Sequence, residues 1–407
     1  MSKRFLLLFT GLIIVFLGVL VFDIKSFDGE NLIIEQHIDV EDVVSEAEET
    51  IEELQEQQIQ EYLNKMSLEE KVAQLFVVLP EALLQDKNTV IFADLEMQKA
   101  IEKTPVGGFI YLNQNLQSKE QVKNMLVNMQ KYSVERIGLP AFMCVDEEGG
   151  VVSRISGNEK FNIPKIINMS EVGKSKDIWS AYEIGVTMGQ YLSELGFNVD
   201  FAPVADVLTN PDNKVVQLRS FGTDAENVSF MTMAISNGLM TNDIYSTYKH
   251  YPGHGATLGD THEGYAYTDK TLDELMECEL VPFMRGIENG ISFIMVGHIS
   301  TPNITGDDLP ASLSEYMVNR VLRSDMGYDG IVITDAMNMG AITHHYSSKE
   351  AAVKALQAGV DIILMPQDFH EAYEGVLEAI EKESLSLERI DESVSRIIKL
   401  KLQILED

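Results

Sequence analysis

Eight short apolar runs, at residues 74–79, 107–112, 141–145, 199–202, 245–249, 292–296, 330–334 and 360–365, recur along the chain with helical patterns between them. No other feature limits the fold so tightly. The runs are apolar throughout rather than alternating, which fits parallel strands covered on both faces. Separations of about 30 to 60 residues leave room for a strand, a helix and two loops in each repeat. The reading is an α/β chain with a (β/α)8 TIM barrel as a single domain over residues 65–407; a doubly wound open sheet is the alternative. Ser67 and Glu70 form a capping box ahead of the helical positions Leu68, Val72 and Leu75, so regular structure in the domain begins near Ser67. A last helical pattern, from residue 390 to about 405, completes the eighth repeat.

Ahead of the barrel, Lys3 and Arg4 precede a run at 5–22 that is apolar apart from Thr10. A basic flank followed by about 18 apolar residues describes a signal peptide or signal anchor over residues 1–25. No small-x-small site follows the run, which favours an uncleaved anchor, and no cysteine stands there to take a lipid. The basic flank puts the N-terminus inside and the remainder outside. The expected location is therefore extracytoplasmic, anchored to the membrane or secreted. Residues 26–64 read as an acidic, partly helical stalk, since 26–61 contain no Lys or Arg; the heptads are too short to establish a coiled coil. The formal net charge is −33, with 64 acidic residues against 31 basic ones, which argues against nucleic acid as a partner. Cys144 and Cys278 have neither a Cys-x-x-Cys nor a disulfide-framework spacing and read as buried free thiols.

In a barrel, chemistry collects at the C-terminal ends of the strands. Those ends carry Asp146, Asp206, Lys249 with His250, His298, and Asp335. The segment Lys249-His250-Tyr251-Pro252-Gly253-His254-Gly255 continues through Gly259-Asp260-Thr261-His262 and holds three of the eight histidines. Pro252 and its glycines exclude a helix, so the four-residue spacing of His250 and His254 does not carry the zinc-ligand meaning it has on a helix. No metal or cofactor motif is present. A loop can fold Asp260 onto His262, and a carboxylate on one imidazole nitrogen leaves the other to move a proton near neutral pH.

This loop resembles the lysine-histidine-aromatic-proline-glycine-histidine-glycine signature, closed by Asp-Ser/Thr-His, of the β-N-acetylglucosaminidase branch of glycoside hydrolase family 3. Val145-Asp146-Glu147-Glu148-Gly149-Gly150 with Arg154 resembles an early binding motif of that family. Asp200-Phe201-Ala202-Pro203-Val204-Ala205-Asp206 and Arg219-Ser220-Phe221-Gly222 resemble its middle, and Ile331-Val332-Ile333-Thr334-Asp335-Ala336-Met337-Asn338-Met339 its nucleophile motif. The resemblance covers about residues 67–405. It implies Asp335 as nucleophile, His262 as general acid/base and Asp260 as the residue that orients it. Asp146, Arg154, Arg219, Lys249 and His250 would hold sugar hydroxyls. It further implies a β-N-acetylglucosaminide as substrate, with no cofactor; a β-glucosidase and a non-catalytic glycan-binding protein are the competing readings. The chain departs from the family pattern at Glu147 and Val151, where Gln and Arg are common. Those two positions either tune substrate choice or support the loop.

Overall fold

The computed structural model describes residues 40–84, 89–257, 259 and 266–406. Each apolar run supplies one strand: β1 (Phe76–Val78), β2 (Gly108–Ile110), β3 (Phe142–Val145), β4 (Val199–Asp200), β5 (Tyr245–Tyr251), β6 (Phe293–Val296), β7 (Ile331–Thr334) and β8 (Ile363–Leu364). They form one sheet in the order β7-β6-β5-β4-β3-β2-β1-β8, with every neighbouring pair parallel. The sheet curls until its edges nearly meet. A parallel bridge between Ile333 and Ile362 joins β7 to the chain entering β8, and the Leu364 amide donates to Thr334 Oγ1 at 3.0 Å. The result is an eight-stranded parallel, near-closed barrel rather than an open sheet. Its strand residues are buried without alternation because side chains fill the interior while helices cover the outside. Inside, Phe142 and Phe293 meet edge to face at 5.3 Å.

The capping box at Ser67 forms as expected and starts the helix Leu68–Gln74, which leads into β1. The preceding helix, Val40–Lys65, is longer than its weak apolar pattern implies and crosses the expected boundary at residue 64. Its last turns pack against the barrel: Ile59 and Leu63 are buried, and Tyr62 Oη donates to the Gly138 carbonyl at 3.2 Å. This helix also lies along the closing helix, Leu387–Glu406. The folded unit thus reaches back to Ile59. No helix among the described residues is long and apolar enough to cross a membrane, and the run at 5–22 lies outside them. Both cysteines are free, Cys144 buried and Cys278 half-buried.

The closing helix inserts Lys401 into the barrel interior. Its Nζ donates to Gln74 Oε1 at 2.7 Å and lies 5.0 Å from the centre of the Phe142 ring. Burial pushes its pKa from 10.5 down to about 7, because among the described residues no carboxylate accompanies it and the ring face offsets only part of the lost hydration. Above about pH 7 the folded chain releases a proton that the unfolded chain keeps up to about 10.5. Stability therefore rises with pH through that window, and the full cost is carried below it. A Lys401→Met substitution is expected to stabilise the protein by about 2 kcal/mol at pH 7, after allowing for the partner that Gln74 loses. Urea unfolding at pH 7 and pH 10 checks this: the gain should shrink at the higher pH, and a variant less stable than wild type at pH 7 would contradict the account.

Candidate active site

A cavity of about 340 Å³ opens at the C-terminal ends of the barrel strands. Of the eight residues to which the family resemblance gives a role, six line it: Asp146, Arg154, Arg219, Lys249, His250 and Asp335. The other two, Asp260 and His262, lie outside the described residues. A roomier hollow of about 590 Å³ lies at the opposite end, between the starts of β6 and β7 and the helices Val40–Lys65 and Leu387–Glu406. Its charged groups are those of helix and loop surfaces. The smaller cavity is the one in which acids, bases and cations converge.

Asp146 follows β3 directly, and the chain then turns back through a short hairpin, Glu147–Gly149 against Val152–Ser153. Gly150 takes φ +59° at the turn, where a Cβ would stand 2.2 Å from Asn168 Oδ1. Alternation along Asp146, Glu147 and Glu148 sends the two outer carboxylates into the cavity and the middle one away from it. Glu147 is fully buried and accepts the amides of Arg154, Ile155 and Ser156 at 2.7, 2.8 and 2.9 Å, and Tyr191 Oη at 2.8 Å. It therefore supports the loop that presents Arg154. Val151, at the hairpin tip, is 59% exposed. Of the two roles open for Glu147, support is the one its contacts define.

Glu148 is the centre of the charge cluster, a position the sequence reading passed over. Arg219 grips it in a two-pronged contact, Nε to Oε2 and Nη2 to Oε1, both at 2.7 Å. Lys249 Nζ lies 2.6 Å from Glu148 Oε1 and 2.8 Å from Asp146 Oδ1. Arg154 Nη2 stands 3.9 Å from Asp146 Oδ2. Burial pushes the Glu148 carboxyl up, but Arg219 and Lys249 outweigh it and hold the group well below the usual carboxylate range. Burial likewise disfavours the Lys249 cation, and the Asp146 and Glu148 carboxylates reverse this, leaving its pKa raised. Each ion is retained because its partners are also dry.

Asp206, at the end of the segment after β4, organises the histidine loop from beneath. One oxygen accepts the His250 and His254 amides at 3.2 and 2.6 Å; the other lies 2.7 Å from His250 Nδ1. Arg219 Nη2 approaches His250 Nε2 at 3.3 Å, and a guanidinium can only donate. This network assigns the His250 proton to Nδ1. Burial raises the Asp206 carboxyl, and the His250 and His254 side chains and the His254 amide bring it below its ordinary value. His254 is pushed down by burial and by His250, and its Nδ1 lies 2.9 Å from Thr257 Oγ1. The two rings have separate partners, in keeping with a spacing that Pro252 and Gly253 take out of any helix. Strand β5 nevertheless runs on to Tyr251, two residues past the expected run, with an irregular register opposite Val296. The Lys249–His250 and Tyr251–Pro252 peptide bonds are both cis.

Asp335 follows β7 and enters the cavity from the opposite wall. Its amide donates to the Val296 carbonyl at 2.9 Å, and Oδ1 accepts the Ala336 amide at 2.7 Å. Burial pushes its carboxyl up, but His250, His298, the Ala336 amide and Lys249 together hold it below the ordinary aspartate value. His298, buried at the end of β6, fixes this turn with Nε2 3.0 Å from the Ala336 carbonyl and Nδ1 2.8 Å from Ser312 Oγ. Asp206 and His298 stood at strand ends in the sequence, but what they hold became visible only with the backbone amides and carbonyls in place. The site thus offers an ionised carboxylate facing a cluster of cationic and neutral donors suited to a polyhydroxylated ring.

A family model described as the N-terminal domain of glycosyl hydrolase family 3 matches residues 67–400. The chain is 30% identical over 331 residues to beta-hexosaminidase A of Pseudoalteromonas piscicida, across 76% of this chain and 55% of that protein. It therefore spans little more than half the length of that relative. It is 34% identical over 271 residues to the beta-hexosaminidase LpqI of Mycobacterium tuberculosis, across 65% and 68% of the two chains. A solved glycoside hydrolase family 3 beta-N-acetylglucosaminidase from a Paenibacillus species superposes with a TM-score of 0.78 at 33% identity, covering 84% of this chain and 63% of its own.

Proposed function

We propose, for a chain that belongs to glycoside hydrolase family 3, that it is a retaining exo-β-N-acetylglucosaminidase acting on terminal β-linked N-acetylglucosamine. The observation that carries this reading is the ionised Asp335 across a cavity from the Asp146, Glu148, Lys249 and Arg219 cluster. A volume of about 340 Å³ suits one sugar ring and little more, which favours attack at a chain end.

In the first step Asp335 attacks C1 through Oδ2, since Oδ1 is engaged by the Ala336 amide. The C1–O bond breaks as the new C1–Oδ2 bond forms, and the leaving oxygen takes a proton from the His262 imidazolium. In the second step water attacks C1, His262 recovers the proton, and the ester to Asp335 is released. The role of His262, with Asp260 to orient it, follows from the family motif. Lys249, Arg154 and Arg219 would strengthen their bonds to the ring hydroxyls as charge develops at C1, each contributing about 1.5–3 kcal/mol.

The apolar run at 5–22 with its basic flank supports placing the protein outside the cell and holding it at the membrane. Cell-wall glycan fragments are the substrates that such a location presents. The test compares aryl β-N-acetylglucosaminide with aryl β-glucoside, for wild type and for His262→Ala. Wild type should turn over the first far faster. The variant should lose most with poor leaving groups, which need the proton, and least with activated ones. Equal rates on both sugars would discard the acetylglucosamine assignment, and no turnover of either would leave glycan binding as the better account.

A further inference from the structure

Glu279 sits in the turn between the helices Leu272–Glu277 and Val281–Glu288, fully buried and outside the cavity. Three separate segments meet on it. Lys270 Nζ donates to Oε1 at 2.5 Å, and Thr209 Oγ1 donates to the same oxygen at 2.5 Å. Gly253 lies directly against it: a Cβ there would come within 2.7 Å of the Glu279 Cβ, and its φ of +129° suits glycine. Through Gly253 the contact reaches the His250–His254 loop, where the Gly253 amide donates to the His250 carbonyl at 2.8 Å. Through Thr209 it reaches the loop that carries Arg219. That loop is also tied to the histidine loop by Asn210, whose amide donates to Gly255 and whose side chain donates to Thr257.

Glu279 Oε2 is buried and has no hydrogen-bond partner among the described residues. Keeping an incompletely satisfied carboxylate in such a place costs stability. Groups of that kind persist where they fix a geometry rather than where they strengthen a fold. Glutamine has nearly the same shape and can still accept from Thr209 and Lys270, but it gives up the charge that draws Lys270 inward.

We infer that Glu279 is a positioning residue, which clamps the His250–His254 loop and the Arg219 loop in register through Gly253, Thr209 and Lys270. It touches no substrate. Its influence on turnover rests on the proposed hydrolysis, whereas its influence on the loops does not.

The test uses the full chain with Glu279→Gln and, separately, Lys270→Met. Amide hydrogen exchange in segments 206–222 and 250–257, relative to the rest of the barrel, should quicken by about tenfold in both variants, with a melting temperature at or above wild type for Glu279→Gln and below it for Lys270→Met, which strands a buried carboxylate. The kcat/KM for an aryl β-N-acetylglucosaminide should fall by about tenfold, since sub-ångström misplacement of binding groups costs rate steeply. Unchanged exchange in those two segments would overturn the inference whatever the activity. Quickened exchange in a protein whose wild type hydrolyses nothing would uphold the clamp and reject the proposed reaction. A lower melting temperature with unchanged exchange and unchanged kcat/KM would make Glu279 an ordinary packing residue.

Discussion

An Asp335→Ala protein is expected to fold normally and to lose kcat/KM by a factor on the order of 10⁴ or more, the scale on which removal of a covalent nucleophile acts. The fold should survive because Asp335 lies at a cavity wall and, among the described residues, its side chain accepts one hydrogen bond, from the Ala336 amide. The backbone tie from its amide to Val296 does not depend on the side chain. The rate should collapse because, among the described residues, no other carboxylate lining the cavity is free to substitute. Asp146 and Glu148 are both engaged by Lys249, and Glu148 also by Arg219. A pH profile of the wild type tests the same residue from another side. A nucleophile held below the ordinary aspartate value stays ionised until the pH falls beneath it. The acid limb of kcat/KM contributed by Asp335 should therefore lie below the ordinary aspartate value, with activity lost on the acid side of it. Steady-state kinetics on matched, correctly folded proteins decides the matter. A variant within tenfold of wild type would remove Asp335 from the mechanism.

The second large effect is expected at Glu148. Glu148→Ala takes one anion from a dry cluster and leaves Lys249 with Asp146, and Arg219 with the weaker influence of Asp206 and Asp146. Breaking a buried ion pair in this way destabilises by about 3–5 kcal/mol, because the surviving charges keep their desolvation cost without their partner. Activity should fall by a factor of about 10²–10³ as well, since two groups that face the sugar lose the contact that aims them. Glu148→Gln separates the two causes. It preserves shape and one acceptor but not the charge, so it should recover packing more than rate. Equilibrium unfolding and kcat/KM, measured on both variants, give the comparison. A Glu148→Ala protein as stable as wild type would mean that Lys249 and Arg219 find other partners, contrary to the distances of 2.6 to 2.8 Å that bind them here.

Much of this was visible before any coordinates. The strands could be read because a strand buried on both faces admits only apolar residues along its length, as Phe142, Met143, Cys144 and Val145 do. Asp146, Lys249, His250 and Asp335 could be read because each stands at a strand end, whereas Arg154 and Arg219 came only with the resemblance of their motifs to the family. Glu147 could not: it has the same charge as its two neighbours, and only the alternation of the hairpin turns it inward onto three amides. Asp206 was placed at a strand end, but its partners are chiefly backbone groups, which every residue type supplies alike. The extent of the helix Val40–Lys65 was hidden for a different reason. Among its described side chains only Ile59 and Leu63 are buried against the barrel, a stripe too short to rise above an acidic background.

The docking of that helix fixes more than a boundary. Glu56 and Ile59 lie against the floor of the barrel beside Gly327 and Ile331, while Asp335 and the cavity lie at its opposite rim. A rod of 26 residues, roughly 40 Å long at 1.5 Å per residue, is thus docked on the underside of the barrel. The docked rod therefore occupies the end of the barrel away from the cavity and takes no part in lining it.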